Sequence, residues 1–300
     1  MRKLTGWLVA LLLLAMSCCA GAEGRVLTDA APFPEGTPLL ELYVCPLLGA
    51  DAMVLRQGEH AMLVDMGKSK DVDTIAQVLD DLGLTHFEYA FNTHPHTDHL
   101  GSMKALAERY SFDRFVTGFD EDVTGQQVIQ RSTIRTLRDA GMEIVHMDGG
   151  ATFTLGDARL TVIRQTKQKG FNEQSMMLLV EFGDCRLLLG ADVTGQAQDV
   201  LAAAYDLKAD VLKYPHHGLN KLTDGFLAAV QPSYALITHG SINSATAQQV
   251  LDKAGIPYTF ATWGVIHLST DGQEWHVAQD MDEERAAYAE KFWKQKNAGK

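Results

Sequence analysis

The stretch FNTHPHTDHLG, residues 91–101, holds the densest set of metal-ligating side chains in the sequence. His94 and His96 stand two residues apart in a predicted extended loop, where alternate side chains project to the same side and can reach one ion. Asp98 and His99 follow at the start of a predicted helix and can bind a second ion beside the first. Imidazole and carboxylate ligands suit Zn²⁺, with Mn²⁺ or iron as alternatives. The H-x-H-x-D-H spacing therefore predicts a metal site.

A second set of candidate ligands lies much further along the chain. Asp192 ends a predicted hairpin, and His216 and His217 follow a later strand. The loop and this pair together hold five of the eleven histidines. Asp192 is predicted to bridge two ions, because its position mirrors that of Asp65 before the first ligand loop. Asp65 either orients a ligand imidazole from behind or caps the following loop.

Two adjacent divalent ions make hydrolysis the natural reaction class. They lower the pKa of a shared water from about 16 to about 7, so hydroxide is available at neutral pH, and they polarise a carbonyl or phosphoryl oxygen. The sequence contains no G-x-S-x-G elbow, P-loop or dinucleotide-binding glycine pattern. We therefore predict a metal-dependent hydrolase that uses two Zn²⁺ ions.

The elements that must position these residues occur twice. Residues 52–67 and 175–194 each read as a strand, a glycine-centred turn and a second strand with an aspartate at its end. Each hairpin is followed by a helix, a strand, a ligand loop, another helix and another strand. Alternating strands and helices require sheets with helix-covered faces. The sequence predicts an α/β (α+β) fold of the αββα type, with two mixed β-sheets packed together, helices on the outer faces and both ligand sets at one rim.

The first residues differ in kind from the rest of the chain. Residues 1–22 are predicted to be a secretory signal peptide, because two basic residues precede a short apolar run that is followed by small residues. The run is too short for a stable transmembrane helix. A cut before Cys18 is the alternative, and it would leave a lipid-modified cysteine as a membrane anchor. Both predictions make the protein secreted or extracytoplasmic, with no transmembrane span in the mature chain.

The remaining sequence divides into three parts. Residues 23–35 are predicted to be a linker, residues 36–278 a single hydrolase domain, and residues 279–300 a helical tail. The tail places Tyr288 and Phe292 four residues apart, which favours a helix packed on the outside of the domain over one that binds a partner. No protein partner is indicated.

Charge and cysteine content narrow the possible partners. The net charge is −12, and removal of the two basic residues in 1–22 makes it −14. A polyanionic substrate would therefore need a local basic patch. Cys45 and Cys185 are the two cysteines left after the signal peptide, each in an apolar strand-like run. Buried thiols are the expected state, with a single disulfide between them as the alternative.

The quoted stretches also carry a likeness. THPHTDHLGSM and the preceding LLGADAMVLRQGEHAMLVDMG resemble the metallo-β-lactamase superfamily, whose fold is an αββα sandwich with a dinuclear metal site at one edge. FNEQSMMLLVEFGDCRLLLGADVT and ADVLKYPHHGLNK resemble its branch with the ComEC competence (DNA-uptake) hydrolase domain and the secreted phosphorylcholine esterases. The likeness covers roughly residues 40–272. It implies that one of the histidine pair is a ligand while the other contacts substrate, that Asp98 and this pair are catalytic, and that the metal ligands are His94, His96, Asp98, His99, Asp192 and His216 or His217.

Two departures from the superfamily pattern bear on substrate. No histidine lies between His146 and His216, where many members have one, and Asn172 and Ser175 occupy that region as in the competence branch. The first ion is then held more weakly or relies on the histidine pair. The later stretch HGSINSATAQQV lacks the Gly-His-Pro turn of the competence domains, which puts nuclease activity in doubt. His239 either compensates for the missing histidine of that turn or is a buried structural histidine, and the second interpretation is favoured.

The leading prediction is an exported hydrolase of phosphodiesters, either nucleic acid or a small cell-surface phosphoester. Arg164, Lys167 and Lys169 precede Asn172 and can neutralise a phosphate, although a solvated loop is an equal alternative. Asn172, Ser175, Lys167 and Lys169 are the predicted substrate residues. The alternatives are a carbonyl hydrolase of the lactonase or β-lactamase type and a degenerate metal-binding domain without catalysis.

Overall fold

The computed structural model of the chain describes residues 25–28, 30–122, 128–284 and 286–287. In this part of the chain, sixteen strands form two sheets and seven α-helices accompany them. The first sheet has nine strands, in the spatial order β1 (Arg25–Leu27), β16 (Glu274–Gln279), β15 (Ile266–Thr270), β2 (Leu40–Val44), β3 (Ala52–Gln57), β4 (His60–Met66), β5 (His86–Asn92), β6 (Ser111–Thr117) and β7 (Glu143–His146). The second has seven, in the order β14 (Tyr258–Phe260), β13 (Tyr234–Ile237), β12 (Val211–Lys213), β11 (Cys185–Leu189), β10 (Met177–Phe182), β9 (Ala158–Ile163) and β8 (Thr152–Leu155). The helices are α1 (Val72–Asp81), α2 (Thr97–Leu100), α3 (Met103–Ala107), α4 (Val128–Asp139), α5 (Gln196–Ala204), α6 (Asp224–Val230) and α7 (Ala245–Ala254).

Three hydrophobic layers hold the sheets and helices together. The central layer lies between the two sheets, where Val64 of the first sheet joins Leu187 of the second. A second layer packs α1, α3 and α4 on the first sheet, and a third packs α5, α6 and α7 on the second sheet. Neighbouring residues of a strand point into different layers, as Leu63 and Val64 do in β4, because side chains alternate along a strand. The predicted αββα sandwich of two mixed sheets is confirmed.

The predicted duplication is visible in the strand pairing. In the first half β4, β5 and β6 are parallel neighbours, and in the second half β11, β12 and β13 repeat the arrangement. The helix after the first ligand loop is divided into α2 and α3 at Gly101 and Ser102. A Cβ on Gly101 would lie 2.4 Å from the Thr97 carbonyl oxygen and 2.5 Å from the Ser69 nitrogen. Only glycine permits this close approach, which seats the ligand loop on the segment after β4.

Strand pairing continues slightly beyond residues 36–278, the range predicted for the domain. Strand β1 lies within the segment predicted as a linker and pairs in parallel with β16, which ends at Gln279. The predicted signal peptide, with Cys18, lies outside the described residues, as do Tyr288 and Phe292 of the predicted tail helix. No helix in the described part of the chain is both long and apolar enough to cross a bilayer.

The alternative of a Cys45–Cys185 disulfide is wrong, because both cysteines are free and buried. Cys45 belongs to the layer between the first sheet and its helices, whereas Cys185 belongs to the layer between the two sheets. Burial raises the pKa of the Cys45 thiol to about 12 and that of Cys185 to about 11. The pair therefore behaves as two small apolar side chains.

Candidate metal centre

The predicted ligand residues meet at one rim of the sandwich, beyond the carboxyl ends of the parallel strands. The loop after β5 supplies His94 and His96, and α2 supplies Asp98 and His99. The second half supplies the other three residues, with Asp192 beyond the end of β11, and His216 and His217 beyond the end of β12. Parallel strands in neighbouring positions end at the same edge, so residues far apart in sequence converge there.

A first group of ligand atoms forms around His94, His96 and Asp192, which lie close enough to hold one ion. His94 Nε2 is 2.9 Å from His96 Nδ1 and 3.6 Å from Asp192 Oδ2. His94 is fully buried, and its other ring nitrogen lies 3.0 Å from the Thr93 hydroxyl. That contact fixes the ring orientation, as outer partners of metal-binding imidazoles commonly do.

A second group forms around the same aspartate. Asp192 Oδ2 lies 3.2 Å from His99 Nε2 and 3.7 Å from His217 Nε2. Asp98 Oδ2 lies 3.7 Å from His217 Nε2, and 29% of the Asp98 side chain is exposed, so this carboxylate faces the opening of the site. Asp192 belongs to both groups, which is the position predicted for a bridging ligand.

Asp65 supports the second group from behind. His99 Nδ1 lies 2.7 Å from Asp65 Oδ2 and donates to it, which directs His99 Nε2 towards Asp192. The Thr93 backbone N–H and the Thr93 hydroxyl also donate to Asp65, at 2.9 and 2.8 Å. Two roles are predicted for Asp65, and its contact with His99 is the one in which it orients a ligand imidazole.

Asp51 and Lys213 complete the site, although neither is predicted as a site residue from the sequence. Both side chains are fully buried, and the Lys213 ammonium forms an ion pair with Asp51 Oδ2. His217 Nδ1 lies 3.0 Å from Asp51 Oδ1 and 3.0 Å from the Thr238 hydroxyl. The available sequence signal is Lys213 itself, since an ammonium inside the apolar run ADVLKYP requires a buried carboxylate partner.

The backbone is strained where the site is built. Five described residues other than glycine have a positive φ, and four of them are Asp65, Ala191, His216 and His217. Positive φ is rare for residues with a Cβ and costs of the order of 1 kcal/mol or more, so it persists only where surrounding contacts enforce it. Strain concentrated on site residues is typical of a functional centre.

Burial acts to lower the pKa of each of the three buried histidines, and the neighbouring charges decide where each pKa finally lies. Burial lowers the pKa of His94, and neighbouring His99 lowers it further, so it lies well below the usual value. Burial also acts to lower the pKa of His99, but Asp192 and Asp65 outweigh it and hold this pKa well above the usual value. The pKa of His217 is raised in the same way by Asp51 and Asp192. An ion at the second group must therefore displace protons.

The donor set fits divalent cations. Asp192 Oδ1 and His217 Nε2 are buried and have no hydrogen-bond partner among the described residues. A buried polar atom left unpaired is costly, so a ligand that satisfies both atoms would stabilise the site. Imidazole nitrogens with carboxylate oxygens suit Zn²⁺, Mn²⁺ or iron.

The two adjacent histidines of the pair differ in position. His217 is buried with Nε2 directed at Asp98 and Asp192. His216 is 25% exposed, and its Nε2 lies 3.4 Å from the Asn172 amide nitrogen and 3.8 Å from Asp192 Oδ2. The geometry of His217 suits a ligand, whereas His216 stands at the more exposed rim of the cluster.

The predicted substrate residues do not all face the site. Ser175 is fully buried; its hydroxyl donates to the Asn172 carbonyl and accepts from the Asp192 backbone N–H at 3.2 Å, so it holds the loop and not a substrate. Lys167 and Lys169 lie exposed on the loop before Asn172.

Neither of the two interpretations left open for the basic run, phosphate neutralisation or a solvated loop, fits Arg164, whose side chain is buried. Its guanidinium is 4.6 Å from the Phe119 ring, donates to the Gln174 carbonyl and contacts Asp148 at 3.3 Å. His239 is buried, and its Nε2 lies 3.0 Å from the Asn243 amide nitrogen, as a structural histidine would.

An aromatic wall stands beside the first group. The Phe171 ring is 5.7 Å from the His96 ring and 5.6 Å from the Phe119 ring, both in edge-to-face geometry. Phe119 is almost fully buried, whereas Phe171 is half-buried and borders the opening. A planar or cationic group of a substrate can contact this ring.

The fold and the site together define a class. Residues 45–240, more than half of the chain, match the family model of the metallo-beta-lactamase superfamily, and the protein belongs to that superfamily. The fold and the ligand cluster imply that it uses divalent metal.

Comparison with known proteins adds particular relatives. The chain is 27% identical over 167 residues to the ComE operon protein 3 of Bacillus subtilis (strain 168); the match covers 54% of this chain and 21% of that protein, about a fifth of its length. YhfI of Bacillus subtilis, a metallo-beta-lactamase fold protein, superposes with a TM-score of 0.51 at 12% identity, covering 74% of this chain and 96% of YhfI. A mutant of the CmlA beta-hydroxylase gives 0.50 at 15% identity, covering 76% and 53%. These two structures bear on the fold alone.

Proposed function

We propose that the protein is an exported, dinuclear metal-dependent hydrolase that acts on phosphodiesters. The observation that carries this proposal is the sharing of buried Asp192 between two groups of ligand atoms, with Asp192 Oδ1 and His217 Nε2 unpaired in the described part of the chain. In each group one ligand atom of every residue lies within 4.8 Å of the others, so binding of two ions requires little rearrangement.

The ions would be held by His94, His96 and Asp192 at the first position, and by Asp98, His99, His217 and Asp192 at the second. When bound, a pair of divalent ions supplies an activated water and a Lewis acid for the oxygen of the substrate. Asp98, which is 29% exposed at the opening, can take a proton from the attacking water and return it to the leaving group. Rigid support from Asp65 and Thr93 keeps the imidazoles in place during this step.

Substrate recognition is assigned to the rim. His216 and the Asn172 amide stand beside Asp192 and can donate to phosphoryl oxygens. Lys167 and Lys169 are exposed on the same loop and provide the local positive charge that a chain of net charge −12 needs for an anionic substrate. Phe171 adds a surface for a base or a quaternary ammonium group. The likeness to the competence and phosphorylcholine-esterase branch supports the same class of substrate.

A carbonyl substrate, as for a lactonase or β-lactamase, is the second candidate. The metal pair could act equally well on a carbonyl substrate, but such a substrate would give the loop that carries Lys167 and Lys169 no role. A degenerate domain that binds metal without catalysis is the third candidate. The exposure of Asp98 at the opening favours an active centre over this one, because a structural metal site has no need of an open position.

A purified chain beginning at residue 23 tests the function directly. Elemental analysis should find two divalent ions per chain, and with Zn²⁺ or Mn²⁺ the protein should cleave bis-p-nitrophenyl phosphate and at least one of DNA, RNA or a phosphorylcholine ester. Asp98→Ala should abolish the activity. Asp206→Ala is the matched control, because the Asp206 side chain is 74% exposed and pairs with Arg186 near the beginning of β11, at the end of the strand opposite Asp192.

Each alternative has its own signature in this assay. Turnover of nitrocefin or a lactone with no phosphodiester cleavage would replace the proposal with the carbonyl hydrolase. Metal binding with no turnover on any of these substrates, and a folded Asp98→Ala variant that behaves like wild type, would indicate the degenerate domain. Absence of bound metal would overturn the proposal altogether.

Export is tested separately by fractionation of cells that produce the full chain. We expect processed protein outside the cytoplasm, whereas a chain without residues 1–22 should stay inside. Retention of the processed protein in membranes, lost in Cys18→Ser, would identify the lipid-anchored form. Equal distribution of the full and shortened chains would contradict export.

A further inference from the structure

Asp51 and Lys213 form a buried ion pair behind the candidate metal site. What we infer for these two residues rests on the proposed pair of metal ions. Asp51 lies in the loop before β3 and belongs to the first half, while Lys213 ends β12 in the second half. The two residues are 162 positions apart in sequence, and both are fully buried. A buried ion pair costs several kcal/mol of desolvation for each ion, so a hydrophobic pair would often be at least as stable there. The location of this pair, directly behind a candidate metal ligand, points to a role other than stability.

Asp51 is close enough to be a ligand itself. Its carboxylate lies within 4.8 Å of ligand atoms of His99, Asp192 and His217, so the four residues could hold one ion among them. However, both Asp51 oxygens contact groups that lie on the side of the imidazoles facing away from the candidate metal position. Oδ1 faces His217 Nδ1 at 3.0 Å, and Oδ2 faces the Lys213 ammonium. His99 Nδ1, at 3.9 Å from Asp51 Oδ2, is already bound to Asp65.

The remaining contacts tie this pair to the ligand segments of both halves. The Asp51 backbone N–H donates to the Asp98 carbonyl at 3.1 Å. The Lys213 ammonium lies 3.3 Å from the carbonyl of Ala191, whose φ of 45° begins the strained turn into Asp192. One buried carboxylate and one buried ammonium therefore touch His217 and the segments that carry Asp98 and Asp192.

We propose that Asp51 and Lys213 are a positioning pair that selects which carboxylates reach the metal. Asp51 accepts from His217 Nδ1 and so presents His217 Nε2 to the ion. Lys213 holds Asp51 in this outer position and keeps it from entering the coordination sphere, where Asp192 and Asp98 serve. Without the ammonium, a divalent cation would draw Asp51 inward as an additional oxygen ligand, because Zn²⁺ accepts carboxylate oxygens as well as imidazole nitrogens.

The test uses the chain from residue 23 with Zn²⁺ and Co²⁺ as probes. Stepwise affinity is measured by chelator competition, and the ligand set by the visible absorption spectrum of the Co²⁺ form. Asp51→Ala removes the partner of His217 and should weaken the second binding step by about 10- to 100-fold. Asp51→Asn keeps an acceptor oxygen and should lose less. Lys213→Met should alter the Co²⁺ spectrum towards higher coordination number, and the double variant Asp51→Asn/Lys213→Met should return it to that of Asp51→Asn.

A matched control is Glu41→Gln. Glu41 is also a largely buried carboxylate paired with a cation, Arg56, but it lies in β2 away from the ligand cluster. The Glu41→Gln substitution should change neither the metal affinity nor the Co²⁺ spectrum. Circular dichroism and thermal unfolding establish that each variant is folded, and if Asp51→Ala or Lys213→Met is not, the near-isosteric Asp51→Asn decides.

The outcomes separate this inference from the proposed function. If wild type binds no metal, the proposed function fails, and the positioning role fails with it. If wild type binds two ions while folded Asp51→Asn and Lys213→Met keep wild-type affinities and spectra, the positioning role alone is overturned. A loss of stability in these variants without any change in affinity or spectrum would identify the pair as structural, which also overturns it.

Discussion

The two halves of the molecule each orient a candidate ligand imidazole with a buried carboxylate, but the surroundings of that carboxylate differ. In the first half, Asp65 backs His99 and receives its other hydrogen bonds from neutral donors of Thr93 and Asn92. In the second half, Asp51 backs His217 and is paired with a lysine cation. Burial raises the pKa of Asp65 even against the opposing effect of His99. Burial also acts to raise the pKa of Asp51, but Lys213, His217 and His99 together outweigh it and hold this pKa well below its usual range. The duplicated scaffold repeats its strands and helices but not its electrostatics.

The halves also differ in how they deliver ligands. The first half places four candidate ligands in one short loop and the helix that follows it. The second half places three beyond two strand ends, and reaches them through left-handed backbone at Ala191, His216 and His217. A contiguous motif needs little outside help, whereas a dispersed one depends on distant buried partners.

The shared ligand gives the most severe test of this comparison. Asp192→Ala removes the one carboxylate common to both groups and should lower kcat/KM on a phosphodiester by about 10³-fold or more, since metal-ion stabilisation of the transition state is worth several kcal/mol. Metal content should fall with it. Retention of two ions and near wild-type turnover would show that the halves hold their ions independently.

The next largest effect is expected for the carboxylates behind the ligand imidazoles. Asp65→Asn should weaken metal binding by about 10- to 100-fold, as loss of a carboxylate behind a ligand imidazole commonly does. Because Asp65→Asn removes the carboxylate itself, no further oxygen can enter the ligand set and the shape of the Co²⁺ spectrum should not change. Lys213→Met differs, because it leaves the Asp51 carboxylate without its cation. A changed spectrum for Asp65→Asn would remove the distinction between the halves.

The rim that joins the halves can be probed at Phe171. If bases stack on this ring, Phe171→Ala should raise KM for single-stranded DNA by about 5- to 100-fold, corresponding to 1–3 kcal/mol per base. Metal affinity should stay at the wild-type value, because the ring touches His96 only through its edge. Phe171→Tyr serves as the conservative control, and an unchanged KM for Phe171→Ala would exclude stacking there.

The pair of Glu41 and Arg56 measures what a carboxylate and a cation contribute away from the metal centre. Burial acts to raise the pKa of Glu41, but hydrogen bonds from His267, Tyr43 and Arg56 lower it to about 2. A lowered carboxylate pKa adds stability that is present above about pH 4.5 and is lost as the pH falls towards 2. Glu41→Gln should therefore reduce the free energy of unfolding in urea by about 1–2 kcal/mol at pH 7. The gap to wild type should narrow between pH 4.5 and 2; a constant gap would refute the charge origin.

The parts of this protein that sequence can predict are the ones encoded locally. The H-x-H-x-D-H spacing and the repeated order of hairpin, helix and strand are periodic signals, and the fold built from them is the observed αββα sandwich. Asp51 and Lys213 are different, because their pairing across 162 residues exists only after both sheets have packed. The burial of Arg164 could not be predicted for a related reason, because only the fold places Phe119 and Asp148 beside it. Ser175 similarly turned inward to hold the Asp192 backbone.

The two unpaired thiols give the protein a pair of internal reporters. Because Cys45 and Cys185 occupy different layers, a thiol reagent reaches each only when that layer opens. In a chain that begins at residue 23, labelling at Cys45 would follow separation of helices from the first sheet, and labelling at Cys185 would follow separation of the two sheets. Comparing the two rates with and without added metal would reveal which layer the ions lock, without any substrate being needed.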